Sequence, residues 1–194
     1  MIAKRPLWLA ILIVGSIASN ILGAQTTSPA DRWELLGPVV TEPGWHLWGA
    51  SPIEDKQGHI HLFVARWPVS VGWESGWRKH SQIAHYVADR PEGPFRFAET
   101  ALQGDGKGWD AVGMHNPCIR KAQGRYVLFH IANSWEGGRA KHGPNQRIGL
   151  RVATSLEGPW QKLAHDGLAL GPAAWCADSG CGVNNPAFIE APDG

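Results

Sequence analysis

The sequence predicts an all-β fold of repeated four-stranded sheets, and three observations support this prediction. Short runs of alternating apolar and polar residues are separated by turns, and the 194 residues include 24 glycines and 14 prolines. Beyond the N-terminal leader, no window shows a sustained helical period of apolar residues. Two kinds of segment also recur in the same order along the chain. Four-stranded units that repeat in this way are typical of β-propeller blades, which cover their apolar faces by stacking.

Two landmarks define the repeat. The first repeated segment contains a proline that occurs at Pro52, Pro117 and Pro186, at intervals of 65 and 69 residues. The second ends in Gly-Pro and an aromatic residue, with its glycine at Gly93 and Gly158, again 65 residues apart. Because independent landmarks share one period, we interpret them as a true repeat. The predicted strands of the two complete units are roughly residues 48–54, 59–66, 82–88, 94–101, 114–120, 125–132, 146–154 and 159–164.

The repeat predicts an incomplete propeller that follows a leader. We assign residues 1–24 to the leader and residues 25–194 to the propeller. Because propellers have about four to eight blades, we expect further blades beyond residue 194. The alternative is a β-sandwich whose hairpins resemble one another. The predicted bounds are about 45–102 for blade 1, about 110–168 for blade 2 and about 183–194 for the start of blade 3.

The leader has the layout of a secretory signal. Lys4 and Arg5 precede an uncharged apolar run from Leu7 to Ala24, and cleavage is expected near Ala24. We therefore expect a secreted or periplasmic protein. An uncleaved membrane anchor is the alternative, because an apolar run of about eighteen residues approaches the length of a membrane-spanning helix. No other membrane contact is predicted.

The composition argues against several functional classes. A net charge of +1 without blocks of like charge argues against a nucleic-acid partner. The sequence has no Gly-x-Ser-x-Gly motif, phosphate-binding glycine loop or dinucleotide fingerprint, so we predict no cofactor. His59 and His61 share one strand face, but no third ligand is apparent and we predict no metal. The 11 tryptophans, against 2 tyrosines and 5 phenylalanines, indicate aromatic surfaces.

The three cysteines are too few for a disulfide framework. Cys176 and Cys181 lie five residues apart in a glycine-rich segment, where a bridge would close a small loop in an exported protein. A reduced pair is the alternative. Cys118 lies in a strand pattern, and we expect it to be a buried thiol.

One stretch of the second unit carries a specific resemblance. Residues 153–160 read Ala-Thr-Ser-Leu-Glu-Gly-Pro-Trp. Together with the blade-opening prolines, this stretch resembles the five-bladed β-propeller glycoside hydrolases of the arabinanase, levansucrase and invertase group, families 43, 62, 32, 68, 117 and 130. The similarity extends over about residues 33–194. It implies a five-bladed propeller, of which about two blades and the first strand of a third are present, and a carbohydrate substrate.

The same resemblance exposes a departure from the family pattern. In family 43 an aspartate directly before the blade proline supplies one of the carboxyl groups that glycoside hydrolysis requires. The corresponding positions here are Ser51, Asn116 and Asn185, and none of these side chains has a carboxyl group that could ionise. Three explanations remain open: the carboxylates lie in absent blades, neighbouring acids have taken the role, or the protein binds sugar without cleaving it.

Three residues are our candidates for catalysis. Asp110 precedes the inner strand of blade 2, and Glu74 lies in a tryptophan-rich loop, so both could reach the mouth of the propeller. A turn or cap role is the alternative for Asp110. His115 stands at the start of an inner strand, where it could bind sugar hydroxyls or act as a general acid or base with a pKa near neutrality. Its alternative role is to tie adjacent blades together.

Six further residues are predicted to bind substrate. Arg66 ends the second strand of blade 1, where its planar guanidinium could grip a carboxylate or anionic sugar; packing between blades is its alternative. Trp48 and Trp109, like other tryptophans near the inner strands, could stack on sugar faces, and a core position is the alternative for each. The full set is Ser51, Arg66, Trp48, Asn116, Asn185 and Trp109.

The sequence thus leads to one main functional hypothesis. We expect a secreted glycoside hydrolase-like protein that acts on glycosidic bonds of a poly- or oligosaccharide by acid and base catalysis. A carbohydrate-binding propeller without hydrolytic activity and a glycoside phosphorylase, as in family 130, are the alternatives. No oligomeric state is predicted.

Overall fold

The computed structural model describes residues 34–134, 145–163, 166–173, 182–189 and 191. The leader and both Cys176 and Cys181 lie outside these residues, so the predicted signal and the predicted bridge stay predictions. Within the described part of the chain, no helix is long and apolar enough to cross a membrane.

The first sheet has four antiparallel strands in chain order. Its strands are β1 (Trp45–Glu54), β2 (Ile60–Pro68), β3 (Gln82–Ala88) and β4 (Arg96–Leu102). Short helical turns connect β2 to β3: a 3-10 turn at Val69–Val71, an α-helical turn at Trp73–Ser75 and a π-helical turn at Gly76–His80.

The second sheet repeats this order and adds a short strand. A 3-10 turn at Gly108–Asp110 leads into β5 (Val112–Ala122), β6 (Arg125–Ser134), β7 (Asn145–Ala153) and β8 (Gln161–Lys162), and β9 (Leu168–Leu170) pairs with β7. Each of the eight predicted strands overlaps a strand of the structure. The all-β prediction is therefore confirmed.

Local sequence accounts for the tightest hairpin. Gln123 and Gly124 join β5 to β6, and both have positive φ, 48° and 75°. A two-residue hairpin loop with two left-handed residues matches the right-handed twist of the flanking strands, and glycine adopts this conformation without a steric penalty.

The core lies between the two sheets. Phe63 and Ile83 of the first sheet pack with Met114, Ile119 and Leu128 of the second, and all five side chains are buried. Because each sheet buries an apolar face against the other, the arrangement is that of stacked blades and is consistent with part of a propeller.

Residues 182–189 differ from the predicted first strand of a third blade. They form no regular strand. The segment lies on the second sheet instead, where the amide of Val183 donates to the carbonyl of Gln146 at 3.2 Å. The ring of Phe188 also stacks on Phe129, with ring centroids 5.5 Å apart. A β-strand requires a ladder of such backbone bonds, and a single bond does not make one.

Candidate functional site

A concave pocket opens at the end of the sheets where β1 and β5 begin. Its cavity volume is about 340 Å³. Four tryptophans form one side, and a histidine and four amide side chains form the other. The lining residues are Trp48, Trp67, Trp73, Trp77, His115, Asn116, Gln146, Asn184 and Asn185.

The aromatic side is centred on Trp73, in the α-helical turn after β2. Its ring meets Trp48 and Trp67 edge-on, with centroid distances of 5.4 and 5.0 Å. Trp67 is fully buried, because the helical turn crosses it at Gly76, where any Cβ atom would overlap the indole. Trp48 and Trp73 remain 51% and 44% exposed. Two accessible indole rings at a steep angle to each other therefore face the pocket.

The polar side is a continuous set of hydrogen bonds. Gln146 Nε2 lies 3.4 Å from His115 Nε2, and His115 Nδ1 lies 3.2 Å from Asn116 Oδ1. Asn116 Nδ2 then donates to Asn185 Oδ1 at 2.6 Å. The edge of His115 also meets the ring of Trp77 at 5.6 Å. The polar groups of β5, β7 and the 182–189 segment are thus held in one array.

Backbone geometry explains why asparagines occupy these positions. Asn116 and Asn185 have positive φ, 48° and 50°. Asparagine tolerates this left-handed region better than most residues that carry a Cβ atom. In β1 the left-handed residue is Gly49, at φ 52°, and its Cβ position is only 3.5 Å from Asn116 Oδ1. A left-handed bulge therefore occurs in both inner strands beside the pocket.

His115 has a lower pKa than the sequence led us to expect. Burial lowers the pKa of His115 to about 4, although the hydrogen bond to Asn116 acts in the opposite direction. The ring is therefore neutral at pH 7. The expectation of a general acid or base with a pKa near neutrality is corrected for this reason.

Asp110 is not brought to the pocket. It is 2% exposed and forms ion pairs with Arg151 and, at 2.9 Å, with Lys162. Glu42 lies in the segment before β1, where it binds Arg66 at 2.7 Å and accepts a hydrogen bond from Tyr86. Each acid thus ties the segment before its sheet's first strand to later strands of that sheet. This arrangement gives Asp110 a structural role in place of the predicted catalytic one.

Arg66 is also committed elsewhere. Its guanidinium lies between the rings of Trp45 and Phe97, 4.2 and 4.1 Å from their centroids, and donates to both oxygens of Glu42. The side chain is buried. The structure therefore favours the packing alternative over sugar binding for Arg66.

Three other predicted residues lie away from the pocket lining. Glu74 is exposed and pairs with Arg78 at 3.0 Å along the helical turn. Ser51 Oγ accepts a hydrogen bond from the amide of Ile119 at 3.1 Å, which ties the two sheets together. Trp109 is buried, and its indole N–H donates to the carbonyl of Asp166 at 3.2 Å. Of the nine predicted site residues, the pocket contains Trp48, His115, Asn116 and Asn185.

Sequence reasoning did not propose Gln146, Asn184 or Trp67 as site residues. Asn184 directly precedes Asn185 in the repeated segment, so the repeat offered a signal for it. Gln146 lies near the start of β7 in no recognisable motif, and only the pairing of β6 with β7 brings it beside His115.

The histidines of β2 and β3 form a separate buried cluster. His61 Nδ1 lies 2.8 Å from His85 Nε2, and His61 Nε2 lies 3.3 Å from Asp55 Oδ2. Burial lowers the pKa of His85, although its hydrogen bond to the carboxylate of Glu99 acts in the opposite direction. Among the described residues, no group of three or more histidine, cysteine or acidic side chains could hold a metal ion. Cys118 is a free, buried thiol.

Comparisons with known proteins give matches at the level of structure. No protein-family model and no curated protein sequence matches the chain. A GH43_1 enzyme from Xanthomonas citri matches with a TM-score of 0.50 and 16% identity, over 75% of this chain and 41% of the enzyme. The same enzyme complexed with xylotriose matches with a TM-score of 0.50 and 16% identity, over 71% of this chain and 36% of the enzyme.

A third solved structure agrees with these two. It is a GH43 β-xylosidase/α-arabinofuranosidase from a compost microbial metagenome, in complex with xylotriose, with a TM-score of 0.50 and 18% identity. The match covers 69% of this chain and 39% of that enzyme, so the chain spans about two fifths of the length of these structures. At such identities the likeness establishes the fold alone. The described sheets share the fold of part of these glycoside hydrolase structures, and the resemblance seen in the sequence is confirmed at that level.

Proposed function

We propose that the pocket between the two sheets binds an uncharged carbohydrate, in a secreted protein of the five-bladed β-propeller type. The observation that carries this proposal is the pairing of exposed indole rings with a facing array of amides. Aromatic rings pack against the apolar faces of sugar rings, and amides exchange hydrogen bonds with hydroxyl groups. Sites for small ligands commonly combine an apolar wall with a few fixed polar groups in this way.

The charge of the pocket supports a neutral sugar. Among the described residues that line it, none carries a charge at neutral pH, because His115 is neutral there. An anionic sugar would lose hydration on entry without gaining a cationic partner, which costs free energy. Arg66, the predicted partner for an anionic sugar, is already paired with Glu42.

The structural neighbours suggest a probe. Two of them contain xylotriose, a short neutral oligosaccharide. We therefore choose xylotriose as the test ligand for this chain and include other neutral oligosaccharides in the panel.

Hydrolysis by acid and base catalysis is the second candidate function, and the fold favours it. Two carboxyl groups flank the scissile bond in most enzymes that cleave glycosidic bonds. The described lining residues supply none. We therefore propose that any hydrolytic activity depends on acids outside this lining set, and that the described pocket contributes sugar binding.

Calorimetric titration with xylotriose tests the binding proposal. We expect saturable binding that Trp48→Ala weakens about five- to thirtyfold, since loss of one stacking ring removes roughly 1–2 kcal/mol. Phe97→Ala is the matched control, because Phe97 is an aromatic residue of similar exposure outside the pocket. Binding of no neutral oligosaccharide in the panel would refute the proposal. Release of reducing sugar, measured in the same samples, separates a hydrolase from a binding protein.

A further inference from the structure

The polar wall of the pocket has a defined hydrogen-bond direction. The amide nitrogen of Gln146 can only donate, so His115 Nε2, 3.4 Å away, accepts and carries no hydrogen. The amide oxygen of Asn116 can only accept, so His115 Nδ1, 3.2 Å away, carries the hydrogen. Two independent contacts therefore assign the same neutral tautomer to His115.

The direction continues to the surface of the pocket. Asn116 Nδ2 donates to Asn185 Oδ1 at 2.6 Å, so the oxygen of Asn185 accepts from the array and its amide nitrogen is the donor end of the side chain. Asn185 is exposed and lines the pocket. The opposite tautomer of His115 would place a donor against the nitrogen of Gln146 and a bare nitrogen against the oxygen of Asn116. Gln146, the first residue of the array, thus determines whether Asn185 presents its amide nitrogen or its amide oxygen to the pocket.

The main chain of Gln146 also fixes the far end of the array. Its carbonyl oxygen accepts from the amide of Val183 at 3.2 Å. At Gly182, a Cβ atom would lie 2.7 Å from Gln146 Cβ, so the segment that carries Asn185 approaches this residue closely. Gln146, the first residue of the array, is therefore also in contact with the segment that carries Asn185, its last residue.

We propose that Gln146 is the positioning residue of the pocket, which holds His115 in its neutral Nδ1–H form and makes Asn185 a hydrogen-bond donor to the sugar. This inference rests on the proposed function. It specifies that an oxygen atom of the sugar accepts a hydrogen bond from Asn185. It also specifies that the affinity of the pocket for the sugar does not depend on pH across the neutral range.

The surroundings of His115 support pH-independent binding. The groups that face its ring are Asn116 of its own strand, Gln146 of β7 and the indole of Trp77, all of them uncharged. His115 also acts electrostatically on His130 of β6, whose pKa burial lowers to about 3. Both imidazoles are therefore neutral above about pH 5.

Gln146→Glu tests the inference, because a carboxylate accepts where the amide donates. His115 Nε2 must then carry a hydrogen, and the adjacent negative charge should raise the pKa of His115 by about 1–3 units. We expect nitrogen-15 NMR titration of the histidine rings, without sugar, to show this rise and loss of the Nδ1–H tautomer. Xylotriose affinity should fall about fivefold at pH 7 and become pH-dependent, since roughly one hydrogen bond's free energy is lost.

Two further variants complete the experiment. Gln146→Met removes the donor without adding charge. His115 should then no longer be held in the Nδ1–H tautomer, and xylotriose binding should weaken without becoming pH-dependent. Gln82→Glu is the matched control, because Gln82 is a buried glutamine at the start of β3 that does not line the pocket. It should leave the ring of His115 unchanged.

The outcomes separate the inference from the proposed function. An unchanged tautomer and pKa of His115 in both Gln146 variants would overturn the inference, whether or not sugar binds. Absence of xylotriose binding in the unchanged protein, with the tautomer shift present, would count against the proposed function alone. If Gln146→Glu does not fold, the tautomer in Gln146→Met decides the question.

Discussion

Asp110→Asn should destabilise the protein and leave the pocket intact. The carboxyl group of Asp110 is buried between Arg151 and Lys162, and Arg151 is itself buried. An amide cannot neutralise the guanidinium, which would stay in the interior without a counter-charge. Breaking a buried ion pair by removal of one partner costs about 3–5 kcal/mol.

Thermal unfolding measures this cost. In a domain of this size each 1 kcal/mol shifts the melting temperature by about 2–4 °C, so Asp110→Asn should lower it by roughly 6–20 °C. The double change Asp110→Asn with Arg151→Met should recover most of the loss, because it removes the unpaired cation as well. Asp89→Asn is the control, since Asp89 and Arg96 form an exposed pair at 3.5 Å that should contribute no more than about 1 kcal/mol.

The result that would refute this reasoning is specific. If Asp110→Asn melted at the unchanged temperature and abolished release of reducing sugar, the carboxyl group would act in chemistry. The structural role that we derive from its ion pairs would then be wrong.

Three further predictions concern stability. Gly113→Ala should destabilise the protein by more than about 2 kcal/mol in urea unfolding, because Gly113 has φ 60° and a Cβ atom would overlap the carbonyl oxygen of Arg78; an unchanged midpoint would contradict this. Phe63→Ala should cost about 3–5 kcal/mol by the same assay, because it leaves a cavity between the sheets. Stability should also fall as the pH drops from about 6.5 to 4, because burial lowers the pKa values of His115 and His130 in the folded protein from the ordinary 6.5 to about 4 and about 3. The unfolded chain binds more protons in that range, which costs roughly 1.4 kcal/mol per pH unit for each histidine, and urea midpoints at pH 7 and pH 5 that coincide would refute it.

The strand pattern was predictable because it depends on local sequence. Alternating apolar residues, with turns such as Gln123-Gly124, determine where strands begin and end through interactions between neighbours in the chain. The 65-residue interval between Pro52 and Pro117 also predicts that a second sheet repeats the strand order of the first. Stacking then follows, since each sheet has an apolar face that only another sheet can cover.

The set of residues that line the pocket was less predictable, because it depends on β-bulges in the strands. Ser51 and Asn116 occupy the same place in the sequence repeat, directly before a proline. The pairing of β1 with β2 shifts register once, between Trp48 and Ala50, ahead of Ser51. The pairing of β5 with β6 shifts twice, between Val112 and His115 and again between His115 and Cys118, and the second shift includes Asn116. A one-residue shift turns a side chain to the opposite face of a sheet. Ser51 therefore bonds the neighbouring sheet, while Asn116 faces the pocket.

The sequence alone determined the all-β architecture, the four-strand repeat and the family resemblance, because these are recorded in residue type and spacing along the chain. The tertiary structure decided the partners of the charged and polar residues. It paired Asp110 with Arg151 and Arg66 with Glu42, and it brought Gln146 to His115 from a strand with no recognisable motif. The physical reason is that a buried charge or amide requires a partner, and the partner here lies tens of residues away.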